Sequence, residues 1–173
     1  SGAFFTGRNQ ARDAMLVEEL AKGIMTTAAR GYGGLVVIEK DIVVDNYIET
    51  GVDVDGKITS ELVCSIFHPQ SPIHDGAVLI RGGRIHSAGN VLPLSKNQAL
   101  DRNLGTRHRA AIGLTEETDS LVFVISEEFK SVGIVVAGHL RPHVEMHEVR
   151  QALYETFGLN YKPAPVFFKE AKE

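Results

Sequence analysis

The sequence predicts an α/β fold in which a central mixed β-sheet is flanked by helices. Three observations carry that expectation. Apolar runs of strand length recur along the chain, at "LVVIE", "AVLIRG", "SLVFVIS" and "VGIVVAG". Segments with a helical repeat are interleaved with them, the pattern of a sheet with helices packed on its faces. Gly82-Gly83 joins two strand-like runs at hairpin spacing, so at least one pair is antiparallel and the sheet is mixed.

Taken in order, Ala14, Met15, Leu20, Ala21, Ile24, Met25 and Ala28 place an amphipathic helix over Gln10 to Arg30. Glycines at 31, 33 and 34 end it, and Leu35–Glu39 reads as a buried strand. "IVVDNYI" reads as a second strand after a short turn. Thr59 and Ser60 offer caps for a short helix, "ELVCSIF", that stops before Pro69. The strands "AVLIRG" and "RIHSAGNVL" form the hairpin. "KNQALDRNLG" reads as helical with Gly105 as its stop, and "TRHRAAIGL" as a new helix with Thr106 in the capping position. The strands "SLVFVIS" and "VGIVVAG" follow, separated by the charged "EEFK". A last helix runs from about Val144 to Phe157 and stops at Gly158, leaving a Pro-containing tail over 159–173.

The 173 residues are 43% hydrophobic and 23% charged, which suits one globular domain spanning 1–173. A net charge of -4 argues against a nucleic-acid-binding surface, which needs a basic footprint. It leaves room for a local basic cluster serving a small anion. Cys64 is the single cysteine and lies in an apolar segment, so it reads as a core thiol in a reducing compartment. No run approaches the roughly 18 apolar residues that a membrane-spanning helix needs. Ser1-Gly2 reads as a cloning remnant, so a preceding segment, a membrane anchor included, is compatible with the sequence.

Two motifs come close to known sites and miss. In "GVDVDGKIT", Gly51, Gly56 and Lys57 match a phosphate loop, but Ile58 stands where a hydroxyl must meet magnesium. As a calcium loop the same stretch lacks the first acidic ligand, at Gly51, and the closing Glu, at Leu62. It reads as a solvated Asp/Gly turn. In "HLRPHVEMH", His139, His143 and His147 are four apart, as metal ligands on a helix face would be. Pro142 interrupts that helix, and Glu145 is misplaced for a His-Glu-x-x-His centre.

Two segments remain. Asp75 enters an apolar strand, where a carboxylate is costly unless a metal, a ligand or backbone donors meet it. Gly76, without a side chain, lets a ligand come close to the backbone. A turn or cap role would account for Asp75 alone equally well. The second segment, Gly105 to Arg109, places three potential cations at a helix start. The helix N-terminus attracts anions and guanidinium groups suit phosphate oxygens, while cations there are otherwise disfavoured. Arg102 adds to the local basic density. An acidic residue with a phosphate cradle and no Walker loop points to phosphoryl or nucleotidyl transfer, and spacing does not choose between them.

"SPIHDGAVLI" and "LGTRHRAAIGLTEETDSLVFVISEE" together resemble the diadenylate cyclase family, over about Ala11 to Ala137. The likeness rests on Asp75-Gly76-Ala77 and on Arg107-His108-Arg109, supported by "NVLPLS", which matches the segment lining the family's adenine pocket. "GAFFTGRNQ" is similar to the start of the catalytic domain in the membrane-anchored type. Val91 stands where the family often has an aromatic residue. Phe129-Lys130-Ser131 follows "ISEE" where Thr-Gly is usual.

The resemblance implies a nucleotidyltransferase that condenses two ATP into cyclic di-AMP and two pyrophosphates. Each 3'-hydroxyl attacks the other nucleotide's α-phosphate in a face-to-face homodimer. It implies Asp75, Arg107, His108 and Arg109 as catalytic residues, and Gly76, Ala77, Leu92, Thr106, Ser126 and Glu128 around ATP. It also implies a divalent ion, Mg²⁺ or Mn²⁺, near His74 and Asp75, with Glu128 alongside. The expected setting is a cytoplasmic catalytic domain whose anchor, where there is one, lies outside this chain. The competing reading is a non-catalytic sensor that binds adenine nucleotides.

Overall fold

Residues 7–163 are described by a computed structural model. The readings of Ser1-Gly2, of most of "GAFFTGRNQ" and of the tail from 164 onward lie outside the described residues. Helix α1 spans Gly7–Ala29, followed by β1 (Gly34–Ile38), β2 (Val52–Lys57), α2 (Ser60–Phe67), β3 (Ala77–Arg81) and β4 (Arg84–Asn90). Then come α3 (Thr106–Glu117), β5 (Leu121–Ser126), β6 (Ser131–Val136), β7 (His139–Val144) and α4 (Met146–Thr156). The strands form one sheet in the order β2-β4-β3-β1-β5-β6-β7. Only β1 and β3 pair in parallel; every other pair is antiparallel, giving the mixed sheet expected.

Both faces of the sheet are covered. Successive residues of a strand point to opposite faces. Val36 and Ile38 of β1 accordingly join a core with Leu20 and Ile24 of α1, Val63 and Phe67 of α2, and Leu153 of α4. Leu35 and Val37 join a second core with Ala111 and Leu114 of α3. This two-sided burial is why the central strands read as unbroken apolar runs. The hairpin between β3 and β4 turns on Gly82 and Gly83, with φ of 58° and 73°. Tight hairpin turns of this hand need positive φ at both central positions. Thr59 caps α2 by accepting from the Leu62 amide at 3.1 Å.

Three expectations fail. "IVVDNYI" is not a strand: Val44–Asn46 form a single 3-10 turn, with Val44 buried and Val43 exposed. Polar groups fold the chain back there. Asp119 accepts from the Asp41 and Ile42 amides, Glu39 accepts from the Val44 amide, and Arg81 bridges Glu39 and Asp45. "GVDVDGK" is not merely a turn, because β2 pairs with β4 as an edge strand. The turn character survives in a bulge between Asp53 and Gly56, with Asp55 at φ 45°. "KNQALDRNLG" has no helix. Asn97 and Asp101 cap the Ala99 and Asn103 amides two residues on, the local bonding by which Asx residues compete with helix. "HLRPHV", where the interruption at Pro142 argued against a helix, is strand β7 on the other sheet edge, and α4 starts at Met146 behind a Glu145/Glu148 capping box. His139 and His143 therefore do not share a helix face with His147.

Candidate active site

The sheet topology puts the motif residues at one end of the strands. β1 and β3 run parallel, while β5, β6 and β7 alternate in direction after β1. The entry to β3, the exit of β5, the entry to β6 and the exit of β7 therefore lie along a single edge. Helix α3 begins over that edge. Between them is a cavity of about 640 Å³, lined by Asp75, by Gly105 to His108, by Ser126 to Phe129, and by Pro142 and His143. Residues separated by more than 60 positions in sequence meet there. Another cavity, of about 610 Å³, lies among Lys40, Asp119, Val136 and Arg141 and holds none of the motif residues.

Asp75 stands on the rim and is exposed. The desolvation cost that a buried carboxylate would carry is absent, which corrects the reason first given for its importance. The Nδ1 atom of His74 lies 2.7 Å from the Ser71 carbonyl oxygen. A carbonyl only accepts, so Nδ1 carries the proton and Nε2 of the neutral ring is left as an acceptor or metal ligand. Gly76 has φ 94°, and a Cβ there would meet the Asn90 carbonyl oxygen at 2.5 Å. Glycine is thus required by the backbone as well as by any ligand. Ala77 and Leu92 do not line this cavity; both are buried, and with Val44 and Asn90 they border an apolar gap too small for a water molecule.

Thr106 is the first residue of α3, and Gly105 occupies the cap with no side-chain hydrogen bond. The expected capping role of Thr106 is therefore not seen, and the first-turn amides keep no side-chain acceptor. Such an end attracts anions. Arg107 pairs with Glu127 at 3.5 Å and lies flat against Gly33, where a Cβ would come within 2.1 Å of its Nη1. His108 is not a third cation. Burial first, then the Arg107 charge and His143, hold its imidazole below the ordinary histidine range. At neutral pH it is a neutral hydrogen-bonding group. Arg109 turns away from the cavity and donates to the carbonyls of Leu104 at 3.2 Å and Asp101 at 2.9 Å, holding the loop before α3.

Ser126 and Glu128 lie on the opposite wall, in and after the last residue of β5. Phe129-Lys130-Ser131 makes a tight turn into β6, with Lys130 at φ 49° and the Phe129 ring 67% exposed on the lip. Among the described residues no three His, Cys, Asp or Glu side chains converge as a metal cage. One rim carboxylate and a free imidazole nitrogen do fit an ion that takes its remaining ligands from substrate phosphates, the common arrangement for Mg²⁺.

Three contributors escaped sequence reasoning. Asn90, wholly buried, donates to the Ala77 carbonyl at 2.9 Å and accepts from the Gly51 amide at 2.8 Å, tying β2, β3 and β4 together beside Asp75. Asn90 is the first residue of "NVLPLS", but it ends a strand that also carries Arg84, His86 and Ser87, so its structural role had no mark of its own. Gly33 makes room for Arg107 with no mark in the sequence beyond a helix stop, and β7 brings His143, which the sequence showed only as one of three histidines four apart.

Residues 21–140 match the family model described as DisA bacterial checkpoint controller nucleotide-binding, abbreviated DAC. A diadenylate cyclase of Listeria monocytogenes is 41% identical over 155 residues, 89% of this chain and 57% of that protein. The cyclic di-AMP synthase CdaA of Bacillus subtilis is 40% identical over 144 residues, covering 83% and 53%. The chain therefore spans little more than half the length of these relatives. A crystal structure of DacA from Staphylococcus aureus, a double cysteine mutant, superposes with a TM-score of 0.79 at 36% identity, covering 83% of this chain and 95% of that one. A hypothetical membrane spanning protein from Bacillus cereus superposes with a TM-score of 0.72 at 41% identity, covering 74% and 63%.

Proposed function

Since the chain belongs to the DAC family of nucleotide-binding domains, we propose that it is a diadenylate cyclase, making cyclic di-AMP and two pyrophosphates from two ATP. One observation carries the proposal: a single cavity sets a rim carboxylate, Asp75, against the open N-terminus of α3 with Arg107 and His108. The names of the relatives agree with it. The 3'-oxygen of one nucleotide attacks the α-phosphorus of the other, and the bond to the bridging oxygen breaks to release pyrophosphate.

In this reading Asp75 takes or polarises the 3'-hydroxyl proton. The α3 amides and the Arg107 guanidinium hold the phosphates and offset the charge that builds on them in the transition state. Neutral His108 donates a hydrogen bond without repelling Arg107. Ser126 and Glu128 border the nucleotide across the cavity. Gly76 and Ala77 fix the backbone under Asp75, and Leu92, buried with Ala77, would back the adenine side of the nucleotide. Arg109 acts through the Asp101–Leu104 loop rather than on phosphate. His74 Nε2 and Asp75 would hold a divalent ion, Mg²⁺ or Mn²⁺, whose charge neutralises phosphoryl oxygens.

A ring with two 3'-to-5' links requires each subunit's nucleotide to face its twin, which a two-fold homodimer provides. We place the protein's active domain in the cytoplasm, anchored to a membrane by a segment outside this chain; no described helix is long and apolar enough to cross one. The test is to incubate the protein with ATP and Mn²⁺ and identify the products over a dilution series. The expected result is cyclic di-AMP and pyrophosphate, with specific activity falling as dimers dissociate. ATP bound but unconverted would make the domain a sensor. Constant specific activity in samples that sizing shows to be monomeric would sink the two-fold mechanism.

A further inference from the structure

The cavity has one wall that neither motif supplies. The register of β6 with β7 slips between the Val132–Val144 and Ile134–Arg141 pairs, so Pro142 and His143 sit in a bulge. Gly133 lies opposite that bulge, where a Cβ would press on Leu140 at 2.9 Å. His143 adopts φ 52°, the left-handed region that a side chain with a Cβ enters at a cost. Bulges next to functional sites commonly re-aim one side chain, and this one carries His143 onto the cavity wall. The Phe129 ring meets the imidazole edge-on, with centroids 6.1 Å apart, and steadies it at the lip. Among the described residues the His143 side chain has no hydrogen bond or ion pair, and neither has that of His108, which lines the same cavity. Two imidazoles thus face a common space with their donors unused.

The direction of the sheet says which part of a ligand fills that space. From β3, which Asp75 enters, to β7 there are four strand steps, or about 19 Å along the edge. With the 3'-hydroxyl at Asp75, a nucleotide laid along the start of α3 runs its outer phosphates toward β6 and β7, and the reach of the Asp75 and His143 side chains makes up the rest of that span. We propose that His143 is a phosphate-contacting residue that holds the β,γ end of the nucleotide, the part that leaves as pyrophosphate, together with His108. The identity of this ligand rests on the cyclase reading above; the existence of an anion contact at His143 does not.

The experiment measures binding calorimetrically with three probes that do not react: inorganic pyrophosphate, AMP, and an ATP analogue with a methylene bridge between the α and β phosphates. Wild type is compared with His143→Ala, His143→Gln and His147→Ala, the last being an exposed α4 residue outside the cavity. Losing one phosphate hydrogen bond weakens binding by roughly tenfold. The expected result is that loss for pyrophosphate and the analogue in His143→Ala, with AMP unaffected, partial recovery in His143→Gln and no change in His147→Ala. His143→Gly should melt at a higher temperature than wild type, because it relieves the left-handed strain, while binding pyrophosphate as weakly as the alanine variant. Equal affinity of wild type and His143→Ala for all three probes would overturn the contact, as would an equal loss for AMP. Pyrophosphate bound through His143 by a protein that makes no cyclic dinucleotide would overturn the activity and leave the contact standing. Normal product formation with a silent His143→Ala would do the reverse.

Discussion

Replacing Gly33 by alanine perturbs the candidate site through a residue that touches no substrate. The new methyl carbon would lie 2.1 Å from Arg107 Nη1, 2.4 Å from its Cζ and 2.8 Å from Nη2. No backbone atom is among those neighbours, and Gly33 is not one of the glycines with positive φ. The clash is therefore relieved by the far end of a flexible side chain. To reach ordinary van der Waals contact the guanidinium must retreat by about 1.3 Å. That shift would separate it from Glu127, already 3.5 Å away, and turn its fork off the phosphate position. Misplacing an aligning group by about 1 Å can cost on the order of 100-fold in rate. Arg107 is partly exposed and can recover some of its alignment, so the expected loss in kcat/KM is roughly 10- to 100-fold.

Stability should move little. A glycine-to-alanine change that the backbone accepts restricts the unfolded chain and contributes about 0.4–1 kcal/mol in favour of folding, against a small repacking cost. The assay pairs steady-state production of cyclic di-AMP with thermal melting, for Gly33→Ala, Arg107→Ala and the double variant. The expected pattern is a near-wild-type melt, lowered turnover in each single variant, and no further loss when Gly33→Ala is added to Arg107→Ala. Full turnover in a folded Gly33→Ala protein would refute the placement of Arg107 on the phosphates. Additive losses would refute the claim that Gly33 acts through it.

Asp75→Asn should lower turnover by about 100- to 10,000-fold while ATP still binds, since the exposed amide keeps the shape but takes no proton; near-normal turnover would remove Asp75 from the chemistry. Arg109→Ala should speed amide hydrogen exchange at Asp101 to Leu104 and lower activity. Arg109→Lys should fail to restore either, because one ammonium replaces a fork that reaches two carbonyls; unchanged exchange would show that the loop is held by other means. His108 titrates below the ordinary histidine value of about 6.5 when folded. As pH falls through that value the unfolded chain takes up the proton first, so stability present above it is lost below it until the folded imidazole also titrates. Denaturant melts from pH 7.5 to 5 should show this slope in wild type and a shallower one in His108→Asn, and parallel curves would contradict the burial of His108.

The amino-acid sequence by itself determined the elements whose environment is written in their own residues. Runs such as "LVFVI" could only be central strands once both faces were to be covered, and Gly82-Gly83 could only be a tight hairpin. Thr59 and the apolar stripe of α2 sufficed for that helix. The Asp75 and Arg107 motifs stood out through their pairing and their family resemblance, since Asp75 alone reads equally well as a turn or cap residue. Tertiary structure decided what depended on a partner far along the chain. Whether "IVVDNYI" or "VDVDGK" became a strand turned on Asp119 and Arg81 folding the first back and β4 offering an edge to the second. No local pattern could distinguish Arg109, spent on two loop carbonyls, from Arg107, which faces the cavity. His143 reached the site only because β7 pairs with β6 through a bulge. An edge strand buries one side at most, so its own residues carry little of the apolar signal by which a strand is recognised.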